Sequence, residues 1–99
     1  MIKELDLKLF NEWCLGDSVI VIYTRWCPVC KMLLFKLEEY SDEHPEIRIG
    51  KFEVSDHNLA EIGINSQNVP LTIINRSNKP QEKIKGMFDL EDLEEIISH

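Results

Sequence analysis

The sequence predicts an α/β protein, a three-layer α/β/α sandwich on a central mixed sheet. Two observations support this prediction. Short apolar segments with strand-like patterning alternate with longer segments in which apolar residues recur at helical spacing. Near the end, two strand segments follow each other across a turn and precede a last helix. The predicted order is β-α-β-α-β-α-β-β-α, in one domain over residues 1–99.

Composition and charge narrow the class of protein. The 99 residues are 43% hydrophobic and 29% charged, as in a globular domain that folds without disulfide or metal staples. The net charge of −7 and the scattered Lys and Arg residues argue against nucleic acid as a partner. No segment has the length of a membrane span, and the N-terminus lacks the apolar core of a secretory signal. We therefore expect a cytoplasmic monomer, unless a leader has been removed.

The first part of the chain contains an edge strand, a short helix and a buried strand. Residues 1–4 are expected at a sheet edge, and Asp6 is a candidate N-cap for a helix that ends at Gly16. This segment contains Cys14, which we interpret as a small buried hydrophobic residue. Residues 19–23 form a continuous, mostly β-branched apolar run, typical of a central strand buried on both faces.

A Cys-x-x-Cys motif follows that strand directly. Cys27 and Cys30 stand at the predicted start of a long helix, and Pro28 suits its first turn. The helix is expected to end at His44, before a proline, and its apolar stripe is Val29, Leu33, Leu34, Leu37 and Tyr40. A helix N-terminus presents unpaired N–H groups and a partial positive charge, and both favour a thiolate. The motif therefore points to dithiol–disulfide exchange.

The second half of the chain supplies three strands and two helices. Residues 47–54 alternate as a strand, and residues 71–74 and 81–85 predict an antiparallel pair across a turn at 75–79. Cap candidates at residues 56–58 precede a short helix that is expected to end at Gly63. Gly86 precedes a last helix, which Asp89 caps and whose apolar side carries Leu90, Leu93, Ile96 and Ile97.

Over essentially its whole length the chain resembles the thioredoxin-fold family. The resemblance rests on the strand before Trp26-Cys27-Pro28-Val29-Cys30, on Val69-Pro70 forty residues later, and on Gly86 before the last helix. It implies a cis peptide bond at Pro70, in a loop that lies against the cysteine pair. The activity it implies is protein-disulfide reduction. Cys27 attacks a substrate disulfide and the more buried Cys30 resolves the mixed disulfide, with no cofactor beyond the redox-active Cys27–Cys30 pair.

The resemblance also implies supporting residues and partners. Trp26 would offer an apolar surface to a substrate, and Arg25 would place a cation near the nucleophile. Pro28 and Val29 would set the redox poise and line the same surface, while Val69 would offer its backbone to an extended peptide. The expected partners are protein disulfides and an electron donor, which is either a thioredoxin reductase or glutathione.

The chain departs from thioredoxins at several positions. The family's buried aspartate, six residues before the first cysteine, is Val21 here, which leaves Lys51 without the partner that the family's lysine has. Leu71 replaces the threonine after the cis-proline, and Phe35 replaces a helix-kinking proline, so we expect a straighter helix. The Cys-Pro-x-Cys order resembles glutaredoxin, as does Asp89, whose counterpart there helps hold the glutathione amine. For Asp89, a plain helix cap is the alternative.

Three other functions remain open at this point. A glutathione-dependent, glutaredoxin-like reductase fits the Cys-Pro-x-Cys motif. A metal-binding module would use the cysteine pair at zinc-like spacing, with further ligands drawn from dispersed residues, namely Cys14, His44, His57 and His99. We expect no metal, because these candidates are single and fit loops or core. A redox-inert adaptor would leave the intact motif unused.

Overall fold

The computed structural model describes residues 2–54 and 68–98 of the chain. Its elements are β1 Lys3–Glu4, α1 Leu7–Trp13, β2 Ser18–Tyr23, α2 Pro28–Glu43, β3 Ile49–Glu53, β4 Leu71–Asn75, β5 Glu82–Lys85 and α3 Leu90–Ser98. Within these ranges the predicted order of strands and helices is confirmed. The short helix predicted between residues 56 and 63 lies outside the described residues.

The five strands form one mixed sheet in the order β1-β3-β2-β4-β5. β1 and β2 each pair with β3 in parallel, whereas β4 pairs antiparallel with both β2 and β5. β2 is therefore the central strand, and Ile20 lies between Gly50 of β3 and Ile73 of β4. Because β2 leads directly into the cysteine motif, the motif is anchored to the middle of the sheet.

Helices cover both faces of the sheet, which gives the predicted three layers. On one face, Phe10 and Trp13 of α1 pack with Ile20 and Ile22 in one apolar cluster. On the other face, the cluster combines residues of α2 and α3 with the alternate residues of β2, namely Leu33, Leu37, Leu93, Val19 and Val21. The continuous apolar run of β2 thus supplies both halves of the core, as predicted.

Local signals in the sequence fix several element ends. The Asp6 side chain accepts a hydrogen bond from the Leu9 N–H at 2.8 Å, which confirms it as the N-cap of α1. Gly86 has a φ of 76°, a backbone conformation that glycine adopts without strain. Asp89 directly precedes α3, and its carbonyl oxygen accepts from the Asp92 N–H at 3.0 Å.

The predicted apolar stripe of α2 is correct along most of the helix and wrong at its start. Leu33, Leu37 and Tyr40 are buried, but Val29 is 42% exposed. Val29 lies in the first turn, beside the cysteines, where it does not join the core clusters. α2 runs without interruption through Phe35, and a straighter axis there stays a prediction. No helix in residues 2–54 or 68–98 is long and apolar enough to cross a membrane.

Candidate functional site

The cysteine pair lies where β2 leads into α2. Cys27 is the N-cap residue of α2 and Pro28 occupies the first turn, so the motif itself begins the helix. The Cys27 Sγ accepts a hydrogen bond from the Cys30 N–H at 3.2 Å, and the two residues are joined by a disulfide. Their Cα atoms lie 5.2 Å apart, because residues three apart occupy the same side of a helix.

The two cysteine residues differ in their exposure to solvent. Cys27 is partly exposed, whereas Cys30 is fully buried against the body of the protein. The Cys27 carbonyl accepts from the Lys31 N–H at 3.2 Å, and the Cys27 N–H donates to the Thr24 carbonyl at 3.3 Å. The backbone therefore holds Cys27 from both sides and presents it as the accessible member of the pair.

The Val69-Pro70 loop lies at the same end of the sheet. The peptide bond between these residues is cis, as predicted, and the Pro70 side chain is fully buried. The register of β4 against β2 brings this loop to the cysteine end of the sheet, because Leu71 pairs with Ile22 near the end of β2. The Gly86 N–H donates to the Pro70 carbonyl at 2.8 Å, so Gly86 joins the same region. A contact between substrate and Val69, which is half-buried, stays a prediction.

Exposed apolar side chains surround the start of α2. Trp26 is 74% exposed and Val29 is 42% exposed, in keeping with the surface role predicted for both. Met32 and Phe35 are also exposed, at 61% and 69%, and sequence analysis did not assign them to this surface. The signal was available, because both residues are apolar and fall outside the apolar stripe of their helix.

Arg25 is engaged by two neighbours. Its guanidinium Nη2 forms an ion pair with the Glu53 carboxylate at 2.9 Å, and its Cζ lies 5.6 Å from the centre of the Trp26 ring. Glu53 reaches this position because β2 and β3 are parallel and Tyr23 pairs with Glu53. The positive charge predicted beside Cys27 is thus partly balanced by a carboxylate, which weakens its effect on the thiol.

Val21 is fully buried in the middle of the sheet. Its neighbours in register are Lys51 on β3 and Thr72 on β4. Lys51 extends towards Tyr23, and its Nζ lies 5.9 Å from the ring centre.

The Tyr23 hydroxyl donates to the Glu4 carboxylate at 3.0 Å. Burial raises the pKa of this tyrosine, and the bond to Glu4 raises it further.

A surface depression of about 510 Å³ adjoins this region. Its lining combines cations, acids and aromatic rings, among them Arg25, Lys31, Lys51, Glu53, Tyr23 and Phe35. It lies next to the exposed apolar surface, so a protein bound at Cys27 would also meet this mixed-charge region.

Two further predicted candidates, Cys14 and His44, lie away from the cysteine pair. Cys14 ends α1 beside Asn75, near the opposite end of β2, and it is half-buried rather than buried as expected. Burial raises the pKa of its thiol, and a hydrogen bond with Asn75 acts in the opposite direction. His44 caps the far end of α2, and His57 and His99 fall outside the described residues. The described residues contain no group of three potential metal ligands.

Sequence comparison agrees with this geometry. The thioredoxin family model matches residues 3–99 of the chain. The chain is 26% identical over 99 residues to a thioredoxin of Chlamydia caviae, and the match covers 99% of this chain and 97% of that protein. Because both lengths are covered almost fully, the similarity extends well beyond the cysteine motif.

Solved structures give the same result. Mitochondrial thioredoxin 3 from Saccharomyces cerevisiae, in its oxidised form, is 26% identical and superimposes with a TM-score of 0.75, covering 98% of this chain and 93% of that one. A structure of a ferredoxin:thioredoxin reductase and thioredoxin f2 complex contains a chain that is 28% identical, with a TM-score of 0.73 and coverage of 98% and 92%. The mixed five-stranded sheet and its helices are therefore a thioredoxin fold.

Proposed function

The chain belongs to the thioredoxin family, and we propose that it reduces protein disulfides through Cys27 as nucleophile and Cys30 as resolving thiol. Its class, a thiol–disulfide oxidoreductase of the protein-disulfide reductase type, follows from family membership together with the Cys27–Cys30 pair. The assignment of roles rests chiefly on one observation. The pair begins a helix, with one sulfur accessible and the other buried.

The first chemical step is an exchange at the accessible sulfur. The Cys27 thiolate attacks one sulfur of a substrate disulfide, so that a Cys27–substrate bond forms, the substrate S–S bond breaks and the leaving sulfur takes up a proton. The Cys30 N–H, which donates to the Cys27 Sγ, would stabilise the thiolate of the reduced protein. The partial positive charge at the N-terminus of α2 also stabilises this thiolate.

The second step uses the buried sulfur. Cys30, as a thiolate, attacks the Cys27 sulfur of the mixed disulfide, which re-forms the Cys27–Cys30 bond and releases the second substrate thiol. Two electrons have then passed from the dithiol to the substrate. Burial of Cys30 keeps it from competing for substrate, so the order of attack follows from exposure.

We also propose which surface contacts the substrate and which molecule donates the electrons. The exposed surface of Trp26 and Val29, with Pro28 between the cysteines, would contact the polypeptide around the substrate disulfide. Extended substrate backbone would pair beside Val69, next to the cis-Pro70. We favour a thioredoxin reductase as the donor; a related chain comes from a structure of a ferredoxin:thioredoxin reductase and thioredoxin f2 complex. We also propose that the chain acts in the cytoplasm, in line with its bacterial thioredoxin relatives, and that it acts as a monomer.

Glutathione is the alternative electron donor. Asp89, which is exposed directly before α3, is the residue proposed to contact it. The comparisons favour thioredoxins over glutaredoxins, so this contact is a subsidiary proposal.

Insulin reduction under dithiothreitol tests the assignment of roles. We expect the wild-type chain to accelerate insulin precipitation and Cys27→Ser to fall to the rate of dithiothreitol alone. In a separate incubation with insulin, after dithiothreitol has been removed, reduced Cys30→Ser should accumulate a mixed disulfide with the substrate, visible by mass spectrometry. Cys14→Ser, which removes a thiol far from the pair, is the matched control and should retain activity. Full activity of Cys27→Ser would contradict the proposal.

The donor is tested in parallel with two reducing systems. NADPH with a thioredoxin reductase should sustain turnover of insulin, whereas glutathione with glutathione reductase should sustain little. The opposite result, together with a loss of glutathione turnover in Asp89→Asn, would assign the chain to a glutaredoxin-like role instead.

A further inference from the structure

A second depression of about 510 Å³ lies at the end of the molecule opposite the cysteine pair. The sheet register places it there, because it is lined by Ser18 and Asn75, which pair at the start of β2. β2 then runs six residues before it reaches the site, a separation of about 17 Å along the strand. Disulfide exchange at Cys27 makes no use of this depression.

The floor of the depression is apolar. It is lined by Val19 and Ile74 from the two central strands, by Ile47 from the segment before β3 and by Ile97 from α3. Its volume falls within the range of small-molecule sites, which combine apolar walls with a few polar groups. The floor therefore fits a hydrocarbon or aromatic body of modest size.

Three cationic side chains line the same depression, namely Arg48, Arg76 and Lys79. The Arg48 guanidinium lies 4.4 Å from the centre of the Trp13 ring, which positions it without neutralising it. Among the residues that the structure describes, no carboxylate forms an ion pair with Arg48 or Lys79. In a chain of net charge −7, this local set of cations is a specific feature.

Arg76 contributes a donor that the fold leaves unused. Its guanidinium donates to the Ile96 carbonyl at 2.9 Å and pairs with Glu82 at 3.5 Å, and its side chain is only 16% exposed. Its Nε is buried and has no hydrogen-bond partner among the described residues. A buried donor without a partner is costly, and an acceptor that entered beside Arg76 would satisfy it.

The two acids of the lining are engaged elsewhere. The Asp17 carboxylate accepts from the Ser77 N–H at 2.6 Å, which holds the turn after β4. Glu46 contacts His44 at 3.3 Å. Arg76 is also paired, so Arg48 and Lys79 are the charged lining residues without an ion-pair partner in the described part of the chain.

We propose that this depression binds a small organic anion with an apolar body, such as a medium-chain carboxylate. The carboxylate lies among Arg48, Arg76 and Lys79, and the hydrocarbon body covers the partly exposed side chains of Ile47 and Ile97. Neither half of such a ligand suffices alone, because exposed ion pairs are weak and the floor is small. Binding here is independent of the redox state of Cys27 and Cys30.

Nuclear magnetic resonance with octanoate tests the proposal. Amide shifts of Ser18, Asn75 and Ser77 should change in a saturable manner, with a Kd of about 10 mM or tighter for ten non-hydrogen atoms. Acetate carries the charge without the body, and 1-octanol carries the body without the charge. Both should bind at least about fivefold more weakly than octanoate. Each methylene removed from the acid should weaken binding by up to about fourfold.

A charge-matched pair of variants completes the test. Arg48→Gln/Lys79→Gln should weaken octanoate binding by about fivefold, whereas Lys8→Gln/Lys83→Gln, which removes two exposed cations elsewhere, should not. Shifts confined to Trp26, Val29 and Met32 would mean that the ligand binds the surface beside the cysteines, and would overturn the proposal. Equal binding of acetate, or no effect of the first variant, would also overturn it. Insulin reduction by the same variants reports separately on the redox function.

Discussion

Thr72 places a hydroxyl group in the apolar core. The residue is fully buried on β4, between Val21 of β2 and Ile84 of β5 in the register of the sheet. Its Oγ1 has no hydrogen-bond partner in the described part of the chain. A buried hydroxyl without a partner loses its hydration without compensation, so Thr72 lowers the stability of the fold.

We therefore expect Thr72→Val to raise the free energy of unfolding by about 1 kcal/mol, because the new methyl group replaces the hydroxyl at equal size. Chemical denaturation followed by circular dichroism would measure the change. Thr72→Ser is the matched control, since it keeps the hydroxyl and removes a methyl group, and should be less stable than wild type. A Val variant that is less stable than wild type would show that Oγ1 does find a partner.

At the level of single residues, the chemistry of the site was predictable and its surroundings were less so. The Cys27 and Cys30 positions followed from a motif that directly succeeds a buried strand, and Asp6 from cap chemistry. The pairing of Arg25 with Glu53 could not be read from the chain, because it depends on the register of β2 against β3. Val29 was assigned both to the apolar stripe of α2 and to the substrate surface, and its 42% exposure excludes it from the buried stripe. Helical periodicity alone does not show which end of a helix extends beyond the core.

At the level of elements, Gly50 sets how closely α1 and β1 approach β3. A Cβ atom at Gly50 would lie 2.8 Å from Leu5 Cδ1 and 2.8 Å from Trp13 Cζ3, closer than carbon atoms pack. The glycine therefore creates the space that these two side chains fill on the sheet. The strand pattern in the sequence did not distinguish Gly50 from its neighbours. The close approach of Leu5 and Trp13 to Gly50 arises only when the layers pack together.

Gly50→Ala should lower the free energy of unfolding by about 1–3 kcal/mol, since Leu5 and Trp13 must move to admit the methyl group. Gly16→Ala is the matched control, because a Cβ atom there meets nothing within 4 Å, and it should change stability little. Urea unfolding of both variants provides the comparison. Equal stability of the two would mean that the layers adjust freely around β3.

The strands and helices themselves were largely predictable, and for identifiable reasons. β2 is a continuous apolar run that serves two core faces, and α2 begins with Pro28 in its first turn and ends before Pro45. Strand order was not readable from spacing alone. It follows from which edges pair, and the parallel pairing of β1 with β3 joins residues almost fifty positions apart.

For the molecule as a whole, stability should fall in alkaline solution. The pKa values of Tyr23 and Tyr40 are raised in the folded protein, first by burial and then by nearby acids, Glu4 for Tyr23 and Glu94 for Tyr40. Unfolded tyrosines ionise near pH 10. Between that pH and the higher folded values, the unfolded chain has lost protons that the folded chain keeps. The free energy of unfolding therefore decreases as pH rises above 10.

This expectation is checked by urea unfolding between pH 8.5 and 11.5 in a Cys14→Ser background with the Cys27–Cys30 disulfide intact. Removing Cys14 avoids the titration and exchange of the free thiol. Tyr23→Phe and Tyr40→Phe should each give a shallower decline with pH than their parent, because each removes one group whose ionisation favours the unfolded state. A decline that neither substitution alters would assign the alkaline effect to other groups.

The central place of β2 has a consequence for motion. Proteins open locally, and openings start where a strand has a free edge or few buried contacts. Here β1 and β5 are the edge strands, while β2 is hydrogen-bonded on both sides and buried on both faces. Fraying at either edge therefore leaves in place the strand that leads into the Cys27 segment. The segment that leads to Cys27 is therefore attached to the best-protected strand of the sheet.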